Sequence, residues 1–151
     1  MNFEWALSSA INGVSGVCQF APQCGNAGII EHNGDIYSCD HFVYPQYKIG
    51  NILSDDPSEV FNSDHQLSFG RDKKDNISDD CLNCPVLSMC YGGCPKHRFD
   101  TPKTGSKPQN YLCKGYKKFF THLLPYVELA KKLISEGRPL TDLMKLVATV
   151  K

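Results

Sequence analysis

Eight cysteines in a chain of 151 residues constrain this protein more than any other feature of its sequence. They occupy positions 18, 24, 39, 81, 84, 90, 94 and 113. The stretch from Cys81 to Cys94 has the spacing C-x2-C-x5-C-x3-C and is followed directly by Pro95. Spacings this short let one loop wrap around a metal ion or cluster. The pattern therefore predicts two four-cysteine metal centres with no cysteine left over.

Disulfides are the alternative use of these cysteines, and they persist mainly in oxidising compartments. The segment from Met1 to Trp5 has neither a basic region nor the apolar core of a secretion signal. No apolar run approaches the ~18 residues that a membrane span requires. We therefore expect a cytoplasmic protein without membrane contact, in which the cysteines are metal thiolates.

The formal charge is balanced overall but unevenly distributed. Residues 1–80 contain four Lys/Arg and 12 Asp/Glu, whereas residues 81–151 contain 12 Lys/Arg and four Asp/Glu. The lack of an overall basic character argues against nucleic-acid binding. The basic half would suit an acidic redox partner, and neutralisation of one half by the other explains the same pattern.

Turn residues and periodicity predict an α+β domain, in which a hairpin and loops wrap around the metal sites and helices follow. A lead-in helix is predicted over 3–14, and an extended segment over 47–52. Residues 28–39 have the pattern of a β-hairpin. Asn33-Gly34 at its centre favours a type I′ turn.

Three further helices are predicted at 57–69, 119–134 and 140–150. Pro125 is expected to kink or break the second of these helices, and Gly137 is expected to end it. Loops are predicted at 71–80 and 99–110, where the sequence is polar and rich in turn residues.

The number of cysteines does not distinguish zinc from iron–sulfur, because both use four thiolates. Cys94-Pro95 after an x3 spacing resembles the end of the bacterial ferredoxin run. Tyr91-Gly92-Gly93 offers backbone with little side chain, which can approach inorganic sulfide and donate N–H groups to it. Both features favour iron–sulfur. A structural two-zinc module, or zinc as a substitute metal, is the alternative.

The long-range pattern resembles the SPASM domain of radical S-adenosylmethionine enzymes that modify peptides. It comprises Cys18, then Gly34 and Cys39, the block over 81–94, and the distant Cys113. The resemblance implies an auxiliary iron–sulfur domain in the C-terminal part of such an enzyme.

Within that group, the segments 35–42 and 48–52 and the additional Cys24 resemble the anaerobic sulfatase-maturating enzymes. Those enzymes convert a Cys or Ser of a sulfatase into Cα-formylglycine. Another SPASM-containing peptide modifier, such as a thioether-forming enzyme, is the alternative within the group.

The resemblance implies two fully ligated 4Fe–4S clusters that transfer electrons. Their ligands would be Cys18, Cys24, Cys39 and Cys94 for cluster I, and Cys81, Cys84, Cys90 and Cys113 for cluster II. Asp40 matches the family's proposed general base, which takes the thiol or hydroxyl proton of the substrate. The alternative for Asp40 is a turn-capping role. His41 is assigned no role.

Enzymes of this family cleave S-adenosylmethionine at a third 4Fe–4S cluster, whose C-x3-C-x2-C motif does not occur in this sequence. The barrel that carries it needs roughly 200 residues. The resemblance implies that 1–17 leads in from a missing N-terminal barrel, that 18–113 forms the two-cluster domain, and that 114–151 forms the C-terminal helices. Such a fragment is not expected to be catalytic alone. The implied partners are that barrel, a sulfatase polypeptide, and ferredoxin or flavodoxin.

Overall fold

The computed structural model describes residues 2–101 and 107–147. Its helices are α1 (Asn2–Asn12), α2 (Pro57–Phe61), α3 (Asp64–Asp75), α4 (Asp79–Leu82), α5 (Leu87–Cys90), α6 (Cys113–Ser135) and α7 (Leu143–Leu146). Its strands are β1 (Ile29–Ile30), β2 (Asp35–Tyr37), β3 (Lys48–Asn51), β4 (Arg98–Asp100) and β5 (Gln109–Asn110). The predicted α+β class is confirmed, and the helix predicted over 3–14 is present as α1. Within the described ranges, no helix has the length and apolar character of a membrane span.

The predicted hairpin and extended segment form an antiparallel sheet in the order β1-β2-β3. The prediction of a type I′ turn is wrong, because Gly34 has φ +85° whereas Asn33 does not have a positive φ. The Gly34 N–H donates to the Glu31 carbonyl at 2.9 Å. The Asn33 side chain accepts from the Asp35 N–H at 3.1 Å. The turn is therefore a longer connection that needs only one left-handed residue, and glycine supplies it.

The helix predicted over 57–69 is two helices, because capping residues divide it. Asp56 caps α2 by accepting from the Ser58 N–H at 2.7 Å. Ser63 caps α3 by accepting from the Gln66 N–H at 3.3 Å. A serine at this position starts a new helix, since its hydroxyl satisfies an N–H that has no partner within the helix. Helix α3 then continues to Asp75 and α4 begins at Asp79, so the loop predicted over 71–80 is wrong at both of its ends.

The C-terminal helix α6 is continuous through Pro125, so the predicted break is wrong. Leu123 and Val127 are buried on either side of the proline, and their packing offsets the missing backbone hydrogen bond. Gly137, with φ +67°, ends the helix as predicted. The Arg138 N–H then donates to the Leu133 carbonyl at 2.9 Å, as in a Schellman-type end.

Two predicted segments lie partly outside the described residues. The loop predicted over 99–110 includes β5 and most of β4, which form an antiparallel pair, and residues 102–106 are not described. The helix predicted over 140–150 begins as a 3-10 helix at Leu140–Asp142 and continues as α7. Residues 148–150 of that prediction are not described.

The hydrophobic core lies where α1, α5 and α6 meet the segment after Cys18. Phe20 packs edge-on against Phe120, with ring centroids 5.4 Å apart. Ala6 and Met89 are fully buried beside them. Burial of one such large apolar side chain contributes about 1.5–3 kcal/mol. Phe20 lies two residues after Cys18, and Met89 lies directly before Cys90, so the core fixes segments that carry the thiols.

Candidate metal centres

Four cysteines of the C-terminal half surround one cavity, here called site II: Cys81, Cys84, Cys90 and Cys113. They come from α4, from the segment after it, from the end of α5 and from the first residue of α6. Tyr116 and Lys117 complete the wall one helical turn into α6. The cavity volume is about 20 Å³. The structure thus brings together the four residues predicted for cluster II.

The other four cysteines surround a second cavity, here called site I: Cys18, Cys24, Cys39 and Cys94. They come from a 3-10 helix, the loop after it, the end of the hairpin, and the turn after α5. The cavity volume is about 240 Å³, and Asp40 and His41 also line it. The residues predicted for cluster I are therefore brought together from positions far apart in the sequence.

A left-handed turn separates the last two cysteines of the block. Tyr91, Gly92 and Gly93 have φ values of 45°, 72° and 64°. Three consecutive positive φ values direct Cys90 towards site II and Cys94 towards site I. A Cβ on Gly93 would lie 2.4 Å from the Asn110 side-chain nitrogen. Glycine is thus required at position 93 both by the backbone angle and by the close approach.

The thiols of site II are partly buried next to one another. Burial, together with the nearby Cys81 and Cys113, raises the pKa of Cys90 to about 12. Hydrogen bonds from the backbone N–H groups of Gly92 and Gly93 to its sulfur act in the opposite direction. These N–H groups would also stabilise a thiolate that binds a metal cluster.

Site I has the same electrostatic character. Burial raises the pKa of Cys24 to about 11, with additional contributions from Cys18 and Cys94. Burial also raises the pKa of Cys39 to about 12, and the adjacent Asp40 adds to the shift. Thiols with such pKa values bind metals by releasing protons.

Two polar side chains reach the sulfurs of site I. The Cys39 thiol donates to Asp40 Oδ1 at 3.2 Å. His41 Nδ1 lies 3.4 Å from Cys94 Sγ. Sequence reasoning gave His41 no role, because nothing in its spacing from the cysteines indicates that it reaches Cys94. Only the position of His41 directly after Asp40 in the sequence could have indicated that it lies at site I.

Two buried cations lie near the sites, and sequence reasoning missed both. Lys73 on α3 is 1% exposed, and burial lowers the pKa of its ammonium to about 8. Arg98 on β4 is partly buried, and burial lowers the pKa of its guanidinium as well. Lys73 lies within the loop predicted over 71–80, and Arg98 lies directly before the loop predicted over 99–110. A cation in such a segment is normally solvated.

The donor set and one orphaned hydroxyl fit a metal cluster at site I. Ser38 lines the cavity and is 1% exposed. Its Oγ has no hydrogen-bond partner among the described residues, and a buried hydroxyl in that state costs stability. A cluster sulfur in the cavity would be a suitable acceptor. In the described part of the chain, no three His, Cys, Asp or Glu side chains are grouped closely enough to hold a single ion.

A family model for an iron–sulfur cluster-binding domain, SPASM, matches residues 18–85. The chain contains a SPASM domain. The match begins at Cys18 and ends just after Cys84, so it includes five of the eight cysteines. The SPASM resemblance stated from the sequence is confirmed.

Known relatives extend the similarity over most of the chain. A serine-type anaerobic sulfatase-maturating enzyme from Bacteroides thetaiotaomicron is 42% identical over 95% of this chain. A cysteine-type enzyme from Clostridium perfringens is 30% identical over 82% of this chain. The chain spans only about a third of each relative, 34% of the first and 33% of the second.

Solved structures give the same result for the fold. The structure described as native anSMEcpe with bound AdoMet covers 86% of this chain with a TM-score of 0.71 and 26% identity. A second structure of that protein contains AdoMet and a peptide, and it aligns with the same TM-score of 0.71. This chain corresponds to 35% of the first of these chains.

Proposed function

We propose that this chain is the auxiliary-cluster part of an enzyme that oxidises a Cys or Ser of a sulfatase to Cα-formylglycine. The observation that carries the proposal is the division of eight cysteines between two cavities, one of which also contains Asp40. The similarity to serine-type and cysteine-type sulfatase-maturating enzymes supports the choice of reaction. The relative bound to AdoMet and a peptide supports a peptide substrate and a radical S-adenosylmethionine domain elsewhere in the enzyme.

Each site would hold one 4Fe–4S cluster through its four cysteines, and such clusters accept and pass on single electrons. Full ligation by protein leaves no iron position for the substrate. The residues around each cavity would then set the environment of the cluster, through backbone N–H groups at site II and through Ser38 and His41 at site I.

Asp40 would be the general base. Oxidation of the substrate removes a hydrogen atom from its Cβ, a proton from its thiol or hydroxyl, and one electron. Asp40 is exposed, lines site I and contacts Cys39 Sγ. Its carboxylate is therefore available to take the proton next to the site where the electron leaves. The 3-10 helix that begins at Asp40 has no side-chain capping bond, which supports the catalytic role over the turn-capping role.

Site II would be the exit for the electron. Cys113 lines a surface pocket together with Lys114 and Lys117, and Asp80 and Asp100 line the same pocket. Residues 81–151 contain 12 Lys/Arg and four Asp/Glu, so an acidic carrier such as ferredoxin or flavodoxin would be attracted to this half of the chain, because opposite charges guide the encounter.

The experiment that tests the proposal is Asp40→Asn in the complete enzyme that contains this chain. Mass spectrometry of a sulfatase peptide should show formylglycine formation reduced by about 10²-fold or more, since a positioned base contributes that much. Iron content should stay unchanged. The matched control is Asp64→Asn, an exposed aspartate on α3 outside both sites. Full activity of Asp40→Asn would exclude the proposed role.

A further inference from the structure

Lys73 is a buried cation whose hydrogen-bond partners are all neutral carbonyls. Its Nζ donates to the Cys18 carbonyl at 2.6 Å, to the Gln19 carbonyl at 2.9 Å, and also to the Ala21 carbonyl. These carbonyls belong to the segment that carries the first cysteine of site I. The anionic groups that interact favourably with Lys73 are the thiolate forms of Cys18, Cys24 and Cys94.

Arg98 is the second of these cations, and it lies at the turn that joins the two sites. Its Nη2 donates to the Tyr91 carbonyl at 2.9 Å and its Nε donates to the Gly92 carbonyl at 3.2 Å. Its Nη1 donates to the Lys73 carbonyl at 2.7 Å. The guanidinium therefore holds the left-handed turn that joins the sites. Its favourable electrostatic partners include Cys81 and Cys90 of site II and Cys24 and Cys94 of site I.

Neither cation has a carboxylate partner in the part of the chain that the structure describes. The ion pairs among the described residues involve other cations, such as Lys48 with Asp35 and Arg138 with Asp142. A buried charge without a counter-charge costs several kcal/mol, and neutral carbonyls compensate only part of that cost. Two such cations in one small domain call for nearby negative charge, and the anionic groups that stabilise both of them are cysteine thiolates, which metal binding would supply.

We propose that Lys73 and Arg98 are positioning residues that raise the reduction potentials of the two clusters, Lys73 acting on site I and Arg98 acting on both. This inference rests on the proposed function, because it requires clusters at both sites. A one-electron reduction adds one negative charge to a cluster. A fixed cation nearby stabilises the reduced form more than the oxidised form, and burial limits solvent screening of the interaction.

The test is a redox titration of the anaerobically reconstituted full chain, with dithionite as the electron donor and EPR to follow each reduced cluster. The two signals are assigned from Cys94→Ala and Cys84→Ala proteins, each of which lacks one site. Lys73→Met should lower the equilibrium constant for reduction of the cluster at site I by about tenfold, which is about 59 mV for one electron. The cluster at site II should shift much less. Arg98→Met should lower both.

Matched variants separate charge from structure. Lys74→Met removes an exposed cation adjacent to Lys73 and should leave both potentials unchanged. Arg98→Lys keeps the charge but loses most of the hydrogen bonds, and should restore both potentials towards the wild-type values. If Lys73→Met does not load iron, Lys73→Gln replaces it, because its amide still donates to the carbonyls without a charge.

The outcomes are distinct. Wild-type protein with two clusters, combined with unchanged potentials in Lys73→Met and Arg98→Met, would overturn this inference and leave the proposed function intact. Equal shifts from Lys74→Met would also overturn it. Wild-type protein that forms no iron–sulfur cluster would overturn both. A shift confined to site I in Lys73→Met, and present at both sites in Arg98→Met, supports it.

Discussion

Site I and site II each bring together four cysteines but are built in different ways. Site II takes its cysteines from positions 81–113, and three of them come from one short block. Site I takes its cysteines from positions 18–94, across a 3-10 helix, a hairpin and a turn. The cavity between the cysteines of site II is small, at about 20 Å³, whereas the cavity of site I is larger, at about 240 Å³.

The difference favours different roles for the two sites. The cavity of site I is lined by a carboxylate and an imidazole, Asp40 and His41, which are groups that can move protons. The smaller cavity of site II has neither a carboxylate nor an imidazole among its described lining residues. A site with a base suits a substrate, whereas a site without one suits passage of an electron. The shortest chain connection between them is the turn at Tyr91–Gly93, held by Arg98.

The largest effect is expected when one cysteine is removed from either site, which tests whether the two sites are separate. Cys94→Ala and Cys84→Ala should each lose about half of the bound iron, because each removes one of two separate clusters. Iron and sulfide analysis together with EPR would show which signal remains. Loss of all iron from both variants would mean that the two sites form one cooperative unit.

A second prediction tests the turn between the sites. Gly93→Ala should destabilise the protein by about 2 kcal/mol or more, because alanine is strained at φ +64° and its Cβ would meet Asn110. Thermal unfolding of the apo-protein measures this effect. The control is Gly115→Ala in α6, where no atom lies within 4 Å of the new Cβ; it should be neutral or stabilising by about 1 kcal/mol. Equal stability of the two variants would contradict the role of the turn.

The smallest effect concerns thiol reactivity in the metal-free protein. Cys18 is exposed, whereas burial holds the pKa of Cys90 at about 12. Alkylation by iodoacetamide at pH 8, followed by peptide mass spectrometry, should modify Cys90 about tenfold or more slowly than Cys18. The Cys90 rate should rise with pH up to its pKa, since only the thiolate reacts. Equal rates at pH 8 would show that site II is open in the apo-protein.

The two regions also differ in how far sequence predicts them. The block over 81–94 is predicted directly from the sequence, because its short spacings indicate a metal-binding loop, although Cys94 lies at site I and the other three cysteines lie at site II. The hairpin and the final helix follow from turn residues and periodicity, although Pro125 does not break α6. Lys73, Arg98 and His41 were not predicted, since their contacts with the cysteine segments arise only from packing of α3, β4 and the hairpin. The grouping of the cysteines into two sets came from the family resemblance rather than from spacing.

The most direct test of the central claim is the content of iron, acid-labile sulfide and zinc per chain after anaerobic reconstitution. Two cluster sites predict about eight irons and about eight sulfides, with no zinc retained. About two zinc ions per chain without sulfide would contradict the account and indicate a structural metal scaffold.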